Sequence, residues 1–543
     1  GTGNSVNVTN LDGNTTYHVS IFEFSGPTGM EDYLTVNPTT GSQLTLPETA
    51  QLGDYRSRTS GSWGTPATWE TYDGSGWVDA SVSPSSANGI ITIRTDHTVD
   101  VNLNVTADQV VVETAAHIAI NPGMTLTIND ETDEVDFLIR GRITNSGNIT
   151  ATGVLSFTDG SEYIHNSDGG SVPAAEWEAG SKCLIQGITS SAPSGLGQTF
   201  GQFTWNCPAQ QIAAPVNADM TVQGDFRLIT SGTGSLAITS DNNSRTLSIY
   251  GNYFQEAGTL NFNAGSTSTA TSYLNIAGNF SFAGGSITEK SSGRGVVVFN
   301  GGGPVQMFSG AGTLSNTIDF SVDSGSWLQM GTGETPSYIT GTSGTFTLPE
   351  AATLGITDRY GITKFTTGST GGNIKVTGLR TFNGQANYVY NGSVNQNTGN
   401  GLPSTVNRFV IDHAGMVVTL AAAVNASEAF SIGAGSKANL GYFTHTTVSL
   451  VLGGTGQQPG SYGHTNSPAT FRNDTYFDNA TGIVNNNTPD GTWLGITTEW
   501  NETSNGTGGI PIGSSAAVIS SSVANQPVIS GPRTALANSV TIG

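Results

Sequence analysis

Two stretches of this chain, LSIYGNYFQEAGTLNFNAG (247–265) and LNIAGNFSFAGGSITE (274–289), align when Leu247 is laid on Leu274. The same shift places Gly251-Asn252 on Gly278-Asn279 and Gly258 on Gly285, and repeating it reaches Gly312. Each unit holds a strand, a tight turn and another strand. A unit this short cannot bury its apolar face alone, so such units must stack on one another. The pattern predicts an all-β, right-handed parallel β-helix with Leu247, Ile249, Leu260 and Phe262 facing inward. A β-sandwich, with a hairpin turn about every 8–12 residues, is the competing architecture, and it gives no reason for repeats that stay in phase.

The rest of the chain agrees with strands. Short apolar runs recur at 90–94 (IITIR), 109–114 (QVVVET), 124–129 (MTLTIN), 295–300 (GVVVFN) and 344–349 (GTFTLP). Asp159-Gly160, Asn300-Gly301 and Asn391-Gly392 mark turns between such runs. Gly, Asn and β-branched residues interrupt nearly every helical spacing. Hydrophobic residues make up 36% of the chain and sit in these regular runs, which excludes a disordered polymer. The net charge of −22 arises because Lys and Arg number only 18. A nucleic-acid partner, which needs a basic face against its phosphates, is thereby excluded. Neutral glycans, surfaces or cations are the expected partners. No apolar stretch of about 18 residues is present, so no membrane insertion is expected. The chain opens in folded-looking sequence rather than a leader, and is read as a mature product or a fragment of something longer. Two cysteines fit an extracellular or cell-surface protein that relies little on disulfides.

The ends differ from the middle. Residues 1–50 carry an Asp-Gly turn, an alternating strand and a Pro-bounded strand. Through Leu11, Thr16, Tyr17, Val19 and Asn37-Pro38 they resemble the C-terminal third of a fibronectin type III domain. Residues 61–77 (GSWGTPATWETYDGSGW) then hold Trp63, Trp69 and Trp77, and Trp493 and Trp500 echo this opening near the far end. Pro84 follows the first set and Pro511 the second, each at the same short distance ahead of a strand. The expected organisation is a fibronectin-like fragment (1–50), a Trp-rich cap (51–88), a parallel β-helix (89–440), an irregular β connector (441–490) and a second module that begins at 491–543. A solenoid's first coil exposes an apolar end and unpaired strand edges. Trp63, Trp69, Trp493 and Trp500 are therefore read as structural covers. Trp77 has no counterpart in the second set and is the one candidate for ligand contact.

Several further motifs fall in a consistent order: NPGMTLTI (121–128), QTFGQFTWNCP (198–208), SGTFTLPEAATLGIT (343–357), the stretch 377–411 and RNDTYF (472–477). With them, most of residues 50–543 resembles the very large, repetitive surface proteins of Bacteroidota, a group that includes gliding bacteria. The resemblance implies an adhesin or gliding-associated protein built of fibronectin-like and solenoid modules. It also implies export by type 9 secretion, and it transfers no catalytic residue.

Catalytic chemistry finds little purchase. Parallel β-helix hydrolases resemble one another in clustered Asp residues, a Gly-His-Gly turn and an Arg-x-Lys, and inverting hydrolysis needs a general acid and base across the bond. Here no Asp-Asp pair and no Gly-His-Gly occurs, and His464 in YGHTN is the nearest approach. The seven histidines show no zinc spacing. His97 and His413, each just after an Asp, read as locally hydrogen-bonded turn residues. NDETDEVDF (129–137) gathers Asp130, Glu131, Asp133, Glu134 and Asp136. Calcium, which takes several oxygen ligands, is the one cofactor this run could hold; a solvated acidic turn is the alternative. Cys207 follows Cys183 at close to the length of one coil. That spacing allows a disulfide between adjacent turns or two buried thiols. Sequons at Asn104, Asn148, Asn279 and Asn391 follow from composition, and the pairs Thr125/Thr127 and Thr345/Thr347 form no sustained ladder.

The expected function is non-enzymatic: a segment of a giant extracellular repeat protein, acting as a rigid adhesin or stalk through weak multivalent contacts. A subunit of an extracellular filament is the first alternative and a polysaccharide-active β-helix enzyme the second.

Overall fold

The computed structural model describes residues 50–130, 135–290, 292–364, 371–488, 491–500, 505–507, 516–528 and 539–542, with four backbone strands before residue 50. The chain coils into a parallel β-solenoid of about 18 turns. One sheet runs its whole length. It begins at Gly61–Ser62 beside Thr98–Val101 and continues through His117–Ile120, Arg142–Asn145, Glu162–Asn166, Lys182–Gln186 and Gln202–Asn206. It ends where Ile483–Asn486 pairs with Thr444–Leu452. Two further faces close each coil. One carries Ile91–Ile93, Val110–Val112, Phe137–Ile139 and Leu155–Phe157. The other is made of shorter pieces such as Val105–Ala107, Thr125–Ile128 and Asn148–Ala151.

Alternation explains why these runs are strands. Ile91, Ile93, Val112, Phe137 and Ile139 are fully buried, while Thr92, Val111 and Leu138 between them look outward. A strand whose inner residues meet those of the coils above and below gains burial on one face at every rung. Leu247, Ile249, Leu260 and Phe262 are all buried, as the repeat predicts.

The period of the repeat has a local physical origin. In the long sheet Phe226 opposes Tyr253 and Tyr253 opposes Phe280, so one period of sequence makes one coil. At the corner before this sheet, the side-chain oxygen of Asp225 accepts the Asn252 N–H (2.9 Å) and that of Asn252 accepts the Asn279 N–H (2.9 Å). Asn279 in turn accepts from the Met307 N–H (2.8 Å). The glycine before each asparagine lies on the coil below: a Cβ on Gly278 would stand 2.4 Å from the Gly251 carbonyl oxygen. Gly258 and Gly285 adopt φ of +72° and +76°, where a side chain is strained.

Inside the same coils runs an aromatic spine. Phe203, Phe226, Tyr253, Phe280 and Phe308 stack face to face, each pair at 4.8–5.6 Å between centroids. Phe157 and Trp177 stack at 4.2 Å, and Phe200 links Trp177 to Phe203. Parallel in-register stacking places the same ring type at the same inward position of each coil.

The sheet departs from the expected boundaries. It includes Gly61–Ser62 within the Trp-rich cap, whose Tyr55–Ser57 joins the second face, and it passes residue 440 through Thr444–Leu452 to Asn486. The first six residues of THTTVSLVL alternate as the earlier strands do, so the ladder continues, and an antiparallel turn at 451–456 is added to its end. Before residue 50, Thr16–Ile21 pairs antiparallel with Thr39–Leu44, an arrangement compatible with a sandwich fragment. The side chains that carry the fibronectin-like resemblance lie outside the described residues.

Candidate functional site

The tryptophans are the aromatic groups that could form a ligand platform. Trp63 and Trp69 are buried and meet edge to face at 5.1 Å. The Trp63 indole N–H donates to the Pro84 carbonyl (3.0 Å) and that of Trp69 to the Trp63 carbonyl (2.8 Å). The Trp63 backbone N–H donates to Asp100 O, and the Trp493 N–H donates in the same way to Val518 O. Trp493 and Trp500 stack at 5.9 Å in a small cluster with Val451, Ala517, Ile519 and Val523. All four rings thus sit inside, where an incoming segment meets the first strand of a coil. Trp77 is half-buried on the outer hairpin Trp69–Tyr72/Trp77–Asp79. Tyr72 meets it edge-on at 5.5 Å, and the Arg56 guanidinium lies 4.2 Å over its ring, tethered to Glu70.

The acidic run divides. Asp130 is exposed, whereas Asp136 is fully buried and accepts the Val154 N–H at 2.6 Å. Glu131, Asp133 and Glu134 lie outside the described residues. Among the described residues no group of three or more His, Cys, Asp or Glu side chains gathers as metal ligands would.

The cysteines form no disulfide; both are buried free thiols. Coils here are shorter than in the repeat, and the register sets Cys183 opposite Tyr163 on one side and Phe203 on the other. Cys207 falls beyond the end of the neighbouring strand. The Cys207 thiol points to the Ile185 carbonyl oxygen instead (3.5 Å). Burial pushes Cys207 up to about 11 and Cys183 well above the usual thiol range, so neither is a ready thiolate.

The histidines serve local bonds. His97 Nδ1 is 2.8 Å from Ser57 Oγ, and His413 Nδ1 is 3.3 Å from the Ala414 oxygen. His165 and His445 are buried, and burial holds both below the ordinary histidine value. His464 pairs with Asp474 at the surface (3.6 Å).

A groove of about 440 Å³ lies elsewhere, on residues that belong to none of the candidate site motifs in the sequence. In the coils around it, the corner between the second face and the long sheet covers 94–97, 113–116, 158–161 and 178–181 in turn. Only Arg140 and Gly141 link Phe137–Ile139 to Arg142–Asn145. That corner has half the usual length, and a notch opens between the turns on either side. Thr114, Ala115 and Gly160 form its rims, and Arg140, Arg142, Lys182, His117 and Glu162 line it. Register stacks the last four as His117, Arg142, Glu162 and Lys182 along the outer face of the long sheet. Arg142 Nε donates to Glu162 at 2.7 Å, with Arg142 more than half exposed. His117 Nε2 lies 2.9 Å from Thr144 Oγ1; burial first, and then the charge of Arg142, lowers its affinity for a proton. The groove therefore presents three cations and one carboxylate in a chain that has 18 cations in all. The visible sequence signal was Arg-Gly-Arg at 140–142, in a corner shorter than its neighbours.

Comparison with known protein families, with curated proteins and with solved structures finds no match to this chain.

Proposed function

We propose that this chain is a non-enzymatic segment of a long extracellular repeat protein that serves as a rigid surface adhesin or stalk. The unbroken ladder of the long sheet carries the reading. About 18 turns, at the roughly 4.8 Å spacing of paired strands, make a rod of about 85 Å. Each coil contacts only its neighbours, so length can be added without a larger core. The cluster that joins Trp493 and Trp500 to Val451 of the preceding coil supports modules set in series within one chain. A surface poor in charge, dressed in Ser, Thr and Asn, suits weak multivalent contacts with glycans. The surface proteins that the sequence resembles have this organisation.

The test is sedimentation of the chain together with retention of chain-coated beads on glycan-coated surfaces. An elongated monomer whose beads are retained is the expected result. Polymerisation that grows with concentration would favour a filament subunit, and the appearance of shortened or unsaturated sugars would favour an enzyme; either overturns the reading.

A further inference from the structure

We infer that the notch at Arg140–Arg142 is a binding site for an acidic sugar residue, such as a uronate unit of a polysaccharide. The inference deepens the adhesive reading and rests on it for the source of the ligand. The site itself stands on three observations.

The first is shape. A corner half as long as its neighbours leaves a recess walled by the turns at 113–116 and 158–161. Its volume of about 440 Å³ falls within the roughly 300–1,000 Å³ usual for small-molecule sites. That is room for a sugar ring, not merely for an ion. Gly160 keeps one rim low, because a Cβ there would meet nothing within 4 Å.

The second is charge. Arg140, Arg142 and Lys182 converge on the recess; Arg142 pairs with Glu162 there, as Arg227 does with Glu256 and Arg294 with Asp319, but only here do two further cations line the same described groove. Lys182 is exposed. The chain's charge of −22 repels a polyanion at long range. At physiological salt that repulsion fades over roughly 8 Å, so the local cations decide what docks.

The third is the mix of donors and acceptors. Glu162 faces the same recess, held by Arg142 at 2.7 Å, and Thr114 and His117 add polar atoms to its lining. A sulfate ion, which has no proton to donate, gains nothing from Glu162 and is repelled by it. A uronate residue uses both kinds of group: its carboxylate accepts from the guanidinium and ammonium groups, and its hydroxyls donate to the Glu162 carboxylate.

Calorimetry with an oligogalacturonate trimer as the probe tests this, with a neutral oligosaccharide of equal length and inorganic sulfate as comparison arms at equal ionic strength. The trimer is expected to bind, and to lose about tenfold or more in affinity in Lys182→Glu and in Arg142→Ala/Lys182→Ala, the loss of a charge-assisted contact. Arg294→Ala, on a distant coil, should bind as the parent does. Unchanged binding in the notch variants overturns the proposal. So does equal binding of the neutral oligosaccharide, or sulfate binding as tightly as the trimer. Lys182→Glu breaks no described ion pair, and an unaltered melting curve excludes misfolding as the cause. Loss of the notch in an elongated, bead-retaining monomer sinks only this inference; polymerisation with intact trimer binding sinks only the adhesive reading.

Discussion

The coils from Phe226 to Phe308 and those from Ile91 to Asn206 share one sheet yet differ in kind. The central coils keep a nearly constant length, carry glycine and asparagine at the same corner and stack a ring at the same inward position. The earlier coils are shorter and uneven, as Thr98 opposes His117 and His117 opposes Arg142, and their corners vary in length. Uniformity lets every bond of one coil be repeated in the next, and it leaves the surface smooth. Irregularity gives up some of those bonds and creates relief, so the groove lies in the irregular part. Regular stacking and surface relief thus divide along the solenoid.

Substitutions can break this contrast. The largest effect is expected at Phe280, buried between Tyr253 at 4.8 Å and Phe308 at 5.1 Å. Phe280→Ala should cost about 3–5 kcal/mol in denaturant unfolding, against at most about 1 kcal/mol for Arg142→Ala at the exposed pair beside the groove. Equal costs would mean that the aromatic spine adds no stability of its own.

Next come the corner glycines. Gly278→Ala drives its Cβ against the Gly251 carbonyl and should cost roughly 1–3 kcal/mol. Gly160→Ala meets open space and suffers only from its φ of +83°, a cost of about 1–2 kcal/mol. Thermal melts of the two variants would rank them; a larger loss at Gly160 would contradict the tight stacking of the central corners.

The smallest effect is a pH dependence. His165 and His445 are buried with affinity for a proton lowered by desolvation, and the ordinary histidine value is 6.5. The unfolded chain therefore binds protons more readily than the folded one. Stability should be full above about pH 6.5 and decline as pH falls through and below it. His165→Gln should flatten that slope; a slope that is unchanged, or that rises toward acid, would refute the assignment.

Much of the fold was legible in the residues. Inward Leu247, Ile249, Leu260 and Phe262 followed from alternation and from the period, because side-chain direction in a strand depends on sequence position alone. The tryptophan pairs were legible as a recurring signal, since the same backbone bond, Trp63 to Asp100 and Trp493 to Val518, is made at each occurrence. Cys183 and Cys207 were not. One coil carries Phe226 to Tyr253, whereas a shorter one carries Cys183 to Phe203, and no residue announces the change. Asp136 reads as one of five acids in a run, yet the chain turns it inward to the Val154 N–H.

The groove shows the division most plainly. By itself the sequence determined that the chain would coil, since short amphipathic units with in-phase glycines can bury their apolar faces only by stacking. Tertiary structure decided which coil has the short corner and which cations, from the turns on either side of Glu162, meet there. Arg142 and Lys182 are far apart in sequence and come to flank Glu162 only when register is set. Register depends on the summed length of every corner between them, a non-local quantity that no single motif carries.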